Sequence, residues 1–149
     1  MTSKDDVLSV SVWRQTDDET GTFQQFDVPR QESQTVLDIV SYIQQNLDST
    51  LTYRFACRVG MCGSCAMMVN GEPRWTCRTH VQKAAVDGKL QIAPLRNLPV
   101  IKDLVTDMDP FFDKWTKAEG VHHPSATRHD AIVPVDTTTA QRTIANEGI

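Results

Sequence analysis

The chain has 149 residues, 40% of them hydrophobic and 23% charged, with seven glycines and seven prolines. That leaves room for one ordinary domain plus an extension, and it excludes a large multi-domain enzyme, a collagen-like or low-complexity chain, and wholesale disorder. A formal charge of −4 argues against a nucleic-acid-binding domain, whose affinity would come from a dense basic face, and no apolar run reaches the length of a membrane span.

Residues 7–13 put Val10 and Val12 on one face and Ser9 and Ser11 on the other, the two-residue period of a strand. After the acidic, glycine-containing turn at 16–21, residues 22–28 read as a second strand that Pro29 ends, and the two make an N-terminal hairpin. From Thr35 the period becomes helical, with Val36, Val40, Ile43 and Leu47 on one face widened by Leu37 and Ile39. Thr35 caps this helix, and Asp38 is placed to return the bond as a capping box. After Asn46 no period is readable until Ala66, as expected of a loop built around something. Residues 66–69 and 73–76 flank Asn70-Gly71, a pair suited to a tight hairpin turn, which brings Cys65 and Cys77 to one end of that hairpin. Asp87-Gly88 turns into a last strand at 90–93, closed by Pro94. Two strands, a helix, a cysteine loop, a hairpin and a final strand define an α+β domain over residues 5–98, with β-grasp as the expected topology. Residues 99–118 form a connecting segment in which Asp109 caps a short helix, Pro110 is its preset first residue and Phe111, Phe112 and Trp115 form its aromatic face, and residues 119–149 read as an extended arm.

All four cysteines fall between 57 and 77, spaced Cys57, Cys62, Cys65, Cys77, so they point to one site rather than a disulfide scaffold. Three thiols on one loop with a fourth at a neighbouring hairpin end match the plant-type pattern for a 2Fe-2S cluster. Gly60 and Gly63 permit the loop to curl with its N–H groups toward the sulfurs. The alternatives are a four-cysteine zinc site, although only Cys62 and Cys65 form a short knuckle, and a redox disulfide, which would leave Cys57 and Cys77 unexplained. Arg54, Arg58, Arg74 and Arg78 against Glu72 give residues 54–78 a net charge of +3 inside a chain of −4. Positive charge there would favour a reduced, more negative cluster; the plainer reading is surface ion pairs or partner docking. His80 is read as solvent-facing or core-satisfied, Trp75, Met67 and Met68 as packing residues, and His122-His123 as part of the arm.

Cys57-Arg58-Val59-Gly60-Met61-Cys62-Gly63-Ser64-Cys65-Ala66-Met67, with Asn70-Gly71 and Cys77-Arg78-Thr79, closely resembles the N-terminal cluster domain of succinate dehydrogenase and fumarate reductase iron–sulfur subunits. A second block, Pro94 to Val105 followed by Asp107-Met108 and the aromatic helix, is similar to the segment after that domain in the same family. This block discriminates against the small subunits of molybdenum hydroxylases, which can share the cysteine spacing, and against free-standing ferredoxins, which place the fourth cysteine further along. The resemblance implies a 2Fe-2S cofactor on Cys57, Cys62, Cys65 and Cys77 and a one-electron relay. Its partner would be an FAD-containing flavoprotein subunit acting on a small carboxylate, docked at a rim near the cluster. No FAD or substrate site is expected on this chain, so it carries no complete active site. A further iron–sulfur or membrane subunit is a candidate partner, and the expected location is cytoplasmic, peripheral to the inner face of the membrane through partners. Family members continue into a helical domain with more cysteines, whereas none follows Cys77 here. The alternative function is a free-standing ferredoxin-like carrier serving an oxygenase or reductase.

Overall fold

The computed structural model describes residues 7–16, 20–120, 128–131 and 138. The chain divides into two compact units, Met1–Lys114 and Trp115–Ile149.

In the first unit β1 (Val7–Arg14) pairs antiparallel with β2 (Thr22–Pro29), and β5 (Lys89–Ala93) lies parallel to β1 on its other side. β3 (Ala66–Val69) runs antiparallel to β5, and β4 (Glu72–Trp75) antiparallel to β3, so the five-stranded order is β2-β1-β5-β3-β4. The alternation in β1 acts as its pattern implies: Leu8, Val10 and Val12 are fully buried while the residues between them are not. They meet Val36, Ile39, Val40 and Ile43 of α1 (Val36–Asn46), together with Phe26, Val28, Leu90 and Ile92, in one core between helix and sheet. One helix packed on a mixed sheet is the α+β, β-grasp arrangement expected from the element order. The capping box is present: Thr35 Oγ1 accepts from the Asp38 N–H at 3.2 Å and Asp38 Oδ2 accepts from the Thr35 N–H at 2.9 Å. Both turns form as the dipeptides require, Asn70-Gly71 with φ of 48° and 82° and Asp87-Gly88 with 50° and 71°.

Three features depart from the sequence reading. A four-residue helix α2 (Val81–Ala84) follows β4, and a small hairpin of β6 (Val100–Lys102) and β7 (Val105–Thr106) lies beyond β5. Elements this short carry no readable period. The hairpin belongs to the first unit, which therefore runs past residue 98 to Lys114. Its turn residue Asp103 is only 2% exposed and acts as a staple: Oδ1 accepts from Arg14 Nε at 3.0 Å and the Gln15 N–H at 3.1 Å, and Oδ2 from the Thr52 N–H at 3.0 Å. The third departure is the start of α3 (Asp109–Lys117). The Met108 carbonyl accepts its first N–H bonds, from Phe111 at 3.0 Å and Phe112 at 3.1 Å, so Asp109 is already helical one residue ahead of Pro110, and Asp107 Oδ1 caps Asp109 N–H at 2.9 Å. None of the α3 residues is buried. Within the second unit, the Gly120 N–H closes on the Trp115 carbonyl at 3.1 Å. Most of the arm expected over 119–149, including His122-His123, lies outside the described residues.

Candidate metal centre

The cysteine loop is held between the N-terminus of α1 and the β3–β4 hairpin. The first backbone N–H groups of a helix have no intrahelical acceptor. In α1 they find carbonyls on either side of Cys77: Val36 N–H bonds Thr79 O at 2.8 Å and Leu37 N–H bonds Thr76 O at 3.1 Å. Thr76, fully buried, adds a second tie, its N–H and Oγ1 both reaching the Cys65 carbonyl, at 3.3 and 2.8 Å. Cys65 and Cys77 are thus fixed side by side, packed on Leu37 and Tyr53 in a small cluster of their own. The entry to the loop is stiffened by Tyr53, whose hydroxyl lies 3.1 Å from Ser41 Oγ and whose ring stacks on Phe55 at 5.6 Å. Arg58 continues the stack, its guanidinium 4.8 Å from the Phe55 ring centre and 3.6 Å from Asp38 Oδ1.

The loop backbone turns inward as its glycines permit. Gly60 and Gly63 have φ of 77° and 69°, and Arg58 is held at 58°. The Cys57 sulfur consequently receives three N–H groups, from Val59 at 3.4 Å and from Met61 and Cys62 at 3.3 Å. These N–H groups, that of Cys62 foremost, hold the Cys57 thiol below its ordinary range. Cys62 is lowered to about 6, chiefly by the Ser64 hydroxyl 3.0 Å from its sulfur. Burial pushes Cys77 up, against an opposing N–H bond from Gly60.

Cys57 lies beside Cys62 and Cys77 beside Cys65, with the charge of Cys57 also reaching Cys77. Among the described residues no three His, Cys, Asp or Glu side chains converge to hold a single ion. A tetrahedral four-thiolate zinc site needs all four sulfurs on one point, whereas a 2Fe-2S cluster asks two thiolates of each of two irons. Four neighbouring thiols with no common point, and with N–H groups directed at Cys57, fit the latter.

The four arginines do not act alike. Arg54 Nη1 is committed to the Thr106 carbonyl at 2.9 Å, and Arg74 pairs with Glu72. Arg58 and Arg78 stay beside the loop, Arg78 with its Cγ 3.0 Å from where a Gly60 Cβ would stand. Met67 and Met68 are buried strand residues as expected, and His80 is exposed, its carbonyl starting α2. Trp75 differs from its reading as a packing residue, being 54% exposed at the loop's edge, next to Val59 and Met61 at 61% and 83%. The sequence carried no signal for the Asp103 staple or for the Thr76 tie, because both pair residues far apart in the chain.

A β-grasp sheet presenting three thiols on an N–H-lined loop and a fourth at the adjoining hairpin end defines a ferredoxin-like iron–sulfur domain. Comparison with known proteins agrees: the model of the 2Fe-2S iron–sulfur cluster binding domain matches residues 9–113, and the chain belongs to that family, whose cofactor is a 2Fe-2S cluster. Within it, the likeness is to succinate dehydrogenase and fumarate reductase iron–sulfur subunits, as the two sequence blocks implied. The fumarate reductase iron–sulfur subunit of Mycobacterium tuberculosis is 39% identical over 124 residues, covering 83% of this chain and 48% of the relative. The subunit of the same name from Escherichia coli O157:H7 is 40% identical over 88 residues, 59% of this chain and 35% of the relative. Among solved structures, a chain of the Mycobacterium smegmatis Sdh1 complex in the apo form superposes with a TM-score of 0.77 at 29% identity, over 92% of this chain and 56% of that one. The chain spans half or less of the length of these curated relatives.

Proposed function

We propose that the chain is a one-electron relay, with Cys57 and Cys62 holding one iron of a 2Fe-2S cluster and Cys65 and Cys77 the other. Its exchange partner is the FAD of a succinate dehydrogenase/fumarate reductase-like flavoprotein acting on a small carboxylate. The observation that carries this is the gathering of the four cysteines at one loop and its adjoining hairpin end, with three N–H groups converging on Cys57 and Cys65 tied to the Cys77 segment through Thr76.

The cluster, when bound, supplies a one-electron couple. What the chain supplies is position and electrostatics. N–H groups of Val59, Met61 and Cys62 stabilise negative charge on Cys57, the Ser64 hydroxyl does so on Cys62, and the Gly60 N–H on Cys77. Cys65 and Cys77 are buried against Leu37 and Tyr53, while Cys62 is exposed. The cysteine loop and its flanks also carry Phe55, Val59, Met61 and Trp75, all more than 40% exposed. Large apolar side chains gathered at a cofactor's mouth suit a partner surface that excludes water and brings the donor close. No helix among the described residues is long and apolar enough to cross a membrane.

Dithionite-reduced protein should give the paramagnetic resonance of a reduced 2Fe-2S centre, with equal iron and labile sulfide by chemical analysis. Serine at any one of the four cysteines should alter or abolish it. Purification from its own cells should bring along an FAD-containing subunit, and the small carboxylate should then reduce the cluster. A red-brown chain that never associates with a flavoprotein would support the free-standing carrier instead, and a colourless zinc protein would refute both.

A further inference from the structure

A second feature lies beside the cysteine loop and takes no part in holding the cluster. Between the β3–β4 hairpin and α2 runs a cleft of about 430 Å³ whose charged lining is Arg74, Arg78, Lys83 and Glu72, with Asn70, Thr79 and His80 beside them. An adjoining recess of about 360 Å³ shares Arg74, Arg78 and Thr79 and is bounded by Trp75. Three cations face one carboxylate, and Glu72 is already paired with Arg74. Among the described residues neither Arg78 nor Lys83 has an ion-pair partner. Exposed apolar side chains stand at the cleft's edges, Val86 at 64% and Trp75 at 54%.

We propose that this cleft seats a short acidic segment of a partner protein, carboxylates against Arg74, Arg78 and Lys83 and an apolar side chain against Val86 or Trp75, and that it holds the segment more tightly when the cluster is oxidised. The redox half rests on the relay reading above. Charge selects the occupant. With Arg74, Arg78 and Lys83 against Glu72 giving the cleft a net +2 and the whole chain at −4, the cleft is a basic island in an acidic molecule. A segment a few residues long feels mainly the charges within a screening length of about 8–10 Å, whereas a nucleic-acid duplex would also feel the surrounding repulsion.

The route to the cluster is short. The stem of Arg78 rests against Gly60, and the Gly60 N–H donates to the Cys77 sulfur. A reduced cluster carries one more negative charge than an oxidised one, so it repels a carboxylate seated there. By reciprocity the same segment lowers the midpoint potential. A single charge acting across a screened, protein-lined gap gives roughly a threefold preference for the oxidised state, which is about 28 mV at 59 mV per tenfold.

The test uses the full cluster-loaded chain and a fluorescein-labelled peptide, Glu-Glu-Leu-Glu-Glu, followed by anisotropy. The acidic peptide should bind at low salt, Gln-Gln-Leu-Gln-Gln should not, and affinity should fall about tenfold or more between ~20 and ~200 mM salt. Arg74→Glu with Lys83→Glu should abolish binding while the cluster's visible spectrum is retained. Arg30→Glu with Lys89→Glu makes the same change of net charge outside the cleft and should leave binding within about threefold of the parent. Saturating peptide should lower the midpoint potential. Equal losses in the two double variants, or competition by inorganic phosphate or a DNA duplex as strong as that by the unlabelled peptide, would overturn the proposal. So would dimerisation of the parent chain that the cleft reversals abolish, since the occupant would then be a second copy. Peptide binding with no shift in potential overturns the redox half alone, and a chain with no cluster signal overturns the relay reading whether or not peptide binds.

Discussion

Gly60 and Gly63 sit three residues apart on the cysteine loop with nearly the same backbone, φ of 77° and 69°, but in different surroundings. Alanine at either position must adopt the left-handed region, which costs a residue with a Cβ about 1 kcal/mol relative to glycine. At Gly63 that is the whole effect, because a new Cβ would meet nothing within 4 Å. At Gly60 it would stand 3.0 Å from Arg78 Cγ and 3.5 Å from Trp75 Cε3. The arginine stem can yield by a few tenths of an ångström, but only by disturbing the segment that directs the Gly60 N–H at Cys77, so about 1 kcal/mol more is expected there. Gly63→Ala should therefore lose about 1 kcal/mol and Gly60→Ala about 2, a difference of roughly fivefold in the equilibrium. Both should be read on cluster-loaded protein, where ligation fixes the loop, by urea denaturation with loss of the visible cluster absorbance as the signal. A midpoint potential measured alongside should move for Gly60→Ala and hold for Gly63→Ala. If Gly60→Ala is the milder change, or if the two are equal in both measurements, the contact with Arg78 does not shape the site and the reasoning fails.

Asp103→Asn removes an acceptor oxygen from the buried staple and sets an amide N–H₂ against donors of Arg14, Gln15 or Thr52; it should cost about 2–4 kcal/mol in urea denaturation. Asp48→Asn, whose carboxylate also meets Arg14 but is partly exposed, should cost about 1 kcal/mol or less, and the reverse order would refute the staple. In cluster-free protein, iodoacetamide should modify Cys62 first and Cys77 last, by mass spectrometry of timed samples, since Cys62 is exposed and its thiol lies at about 6 while Cys77 is buried and raised. Because the thiolate is the reactive form, the Cys62 rate should drop as pH falls from 7 through 6 to 5; a rate flat over that range would contradict the Ser64 contact. Arg58→Glu places a negative charge beside the loop and should lower the midpoint potential in a redox titration, with Arg58→Lys close to the parent; an unchanged value removes Arg58 from the tuning of the site.

Much of the architecture follows from local pattern. The alternation of Val10 and Val12, the helical period from Val36 to Ile43, the Thr35–Asp38 box and the Asn70-Gly71 turn each depend on residues within a few positions of one another. Backbone geometry converts such spacings into faces and turns almost regardless of the remainder of the chain. The cysteine spacing is of the same kind, and so is the +3 charge around it. What the linear order could not supply is whatever depends on two distant segments touching. Cys65 and Cys77 stand side by side because the α1 N-terminus bonds the carbonyls of Thr76 and Thr79, and Thr76 bonds that of Cys65. The split among four similar arginines, with Arg54 and Arg74 held by partners of their own and Arg58 and Arg78 left beside the loop, is set by which carbonyl or carboxylate lies within reach. The staple at Asp103 joins residues 88 or 89 positions apart and has no signature at all until the fold closes. Local propensities carry no information about partners that remote in sequence; only packing the helix against the sheet brings them within a hydrogen bond's length, and it is there that a cysteine motif becomes a shaped and charged site.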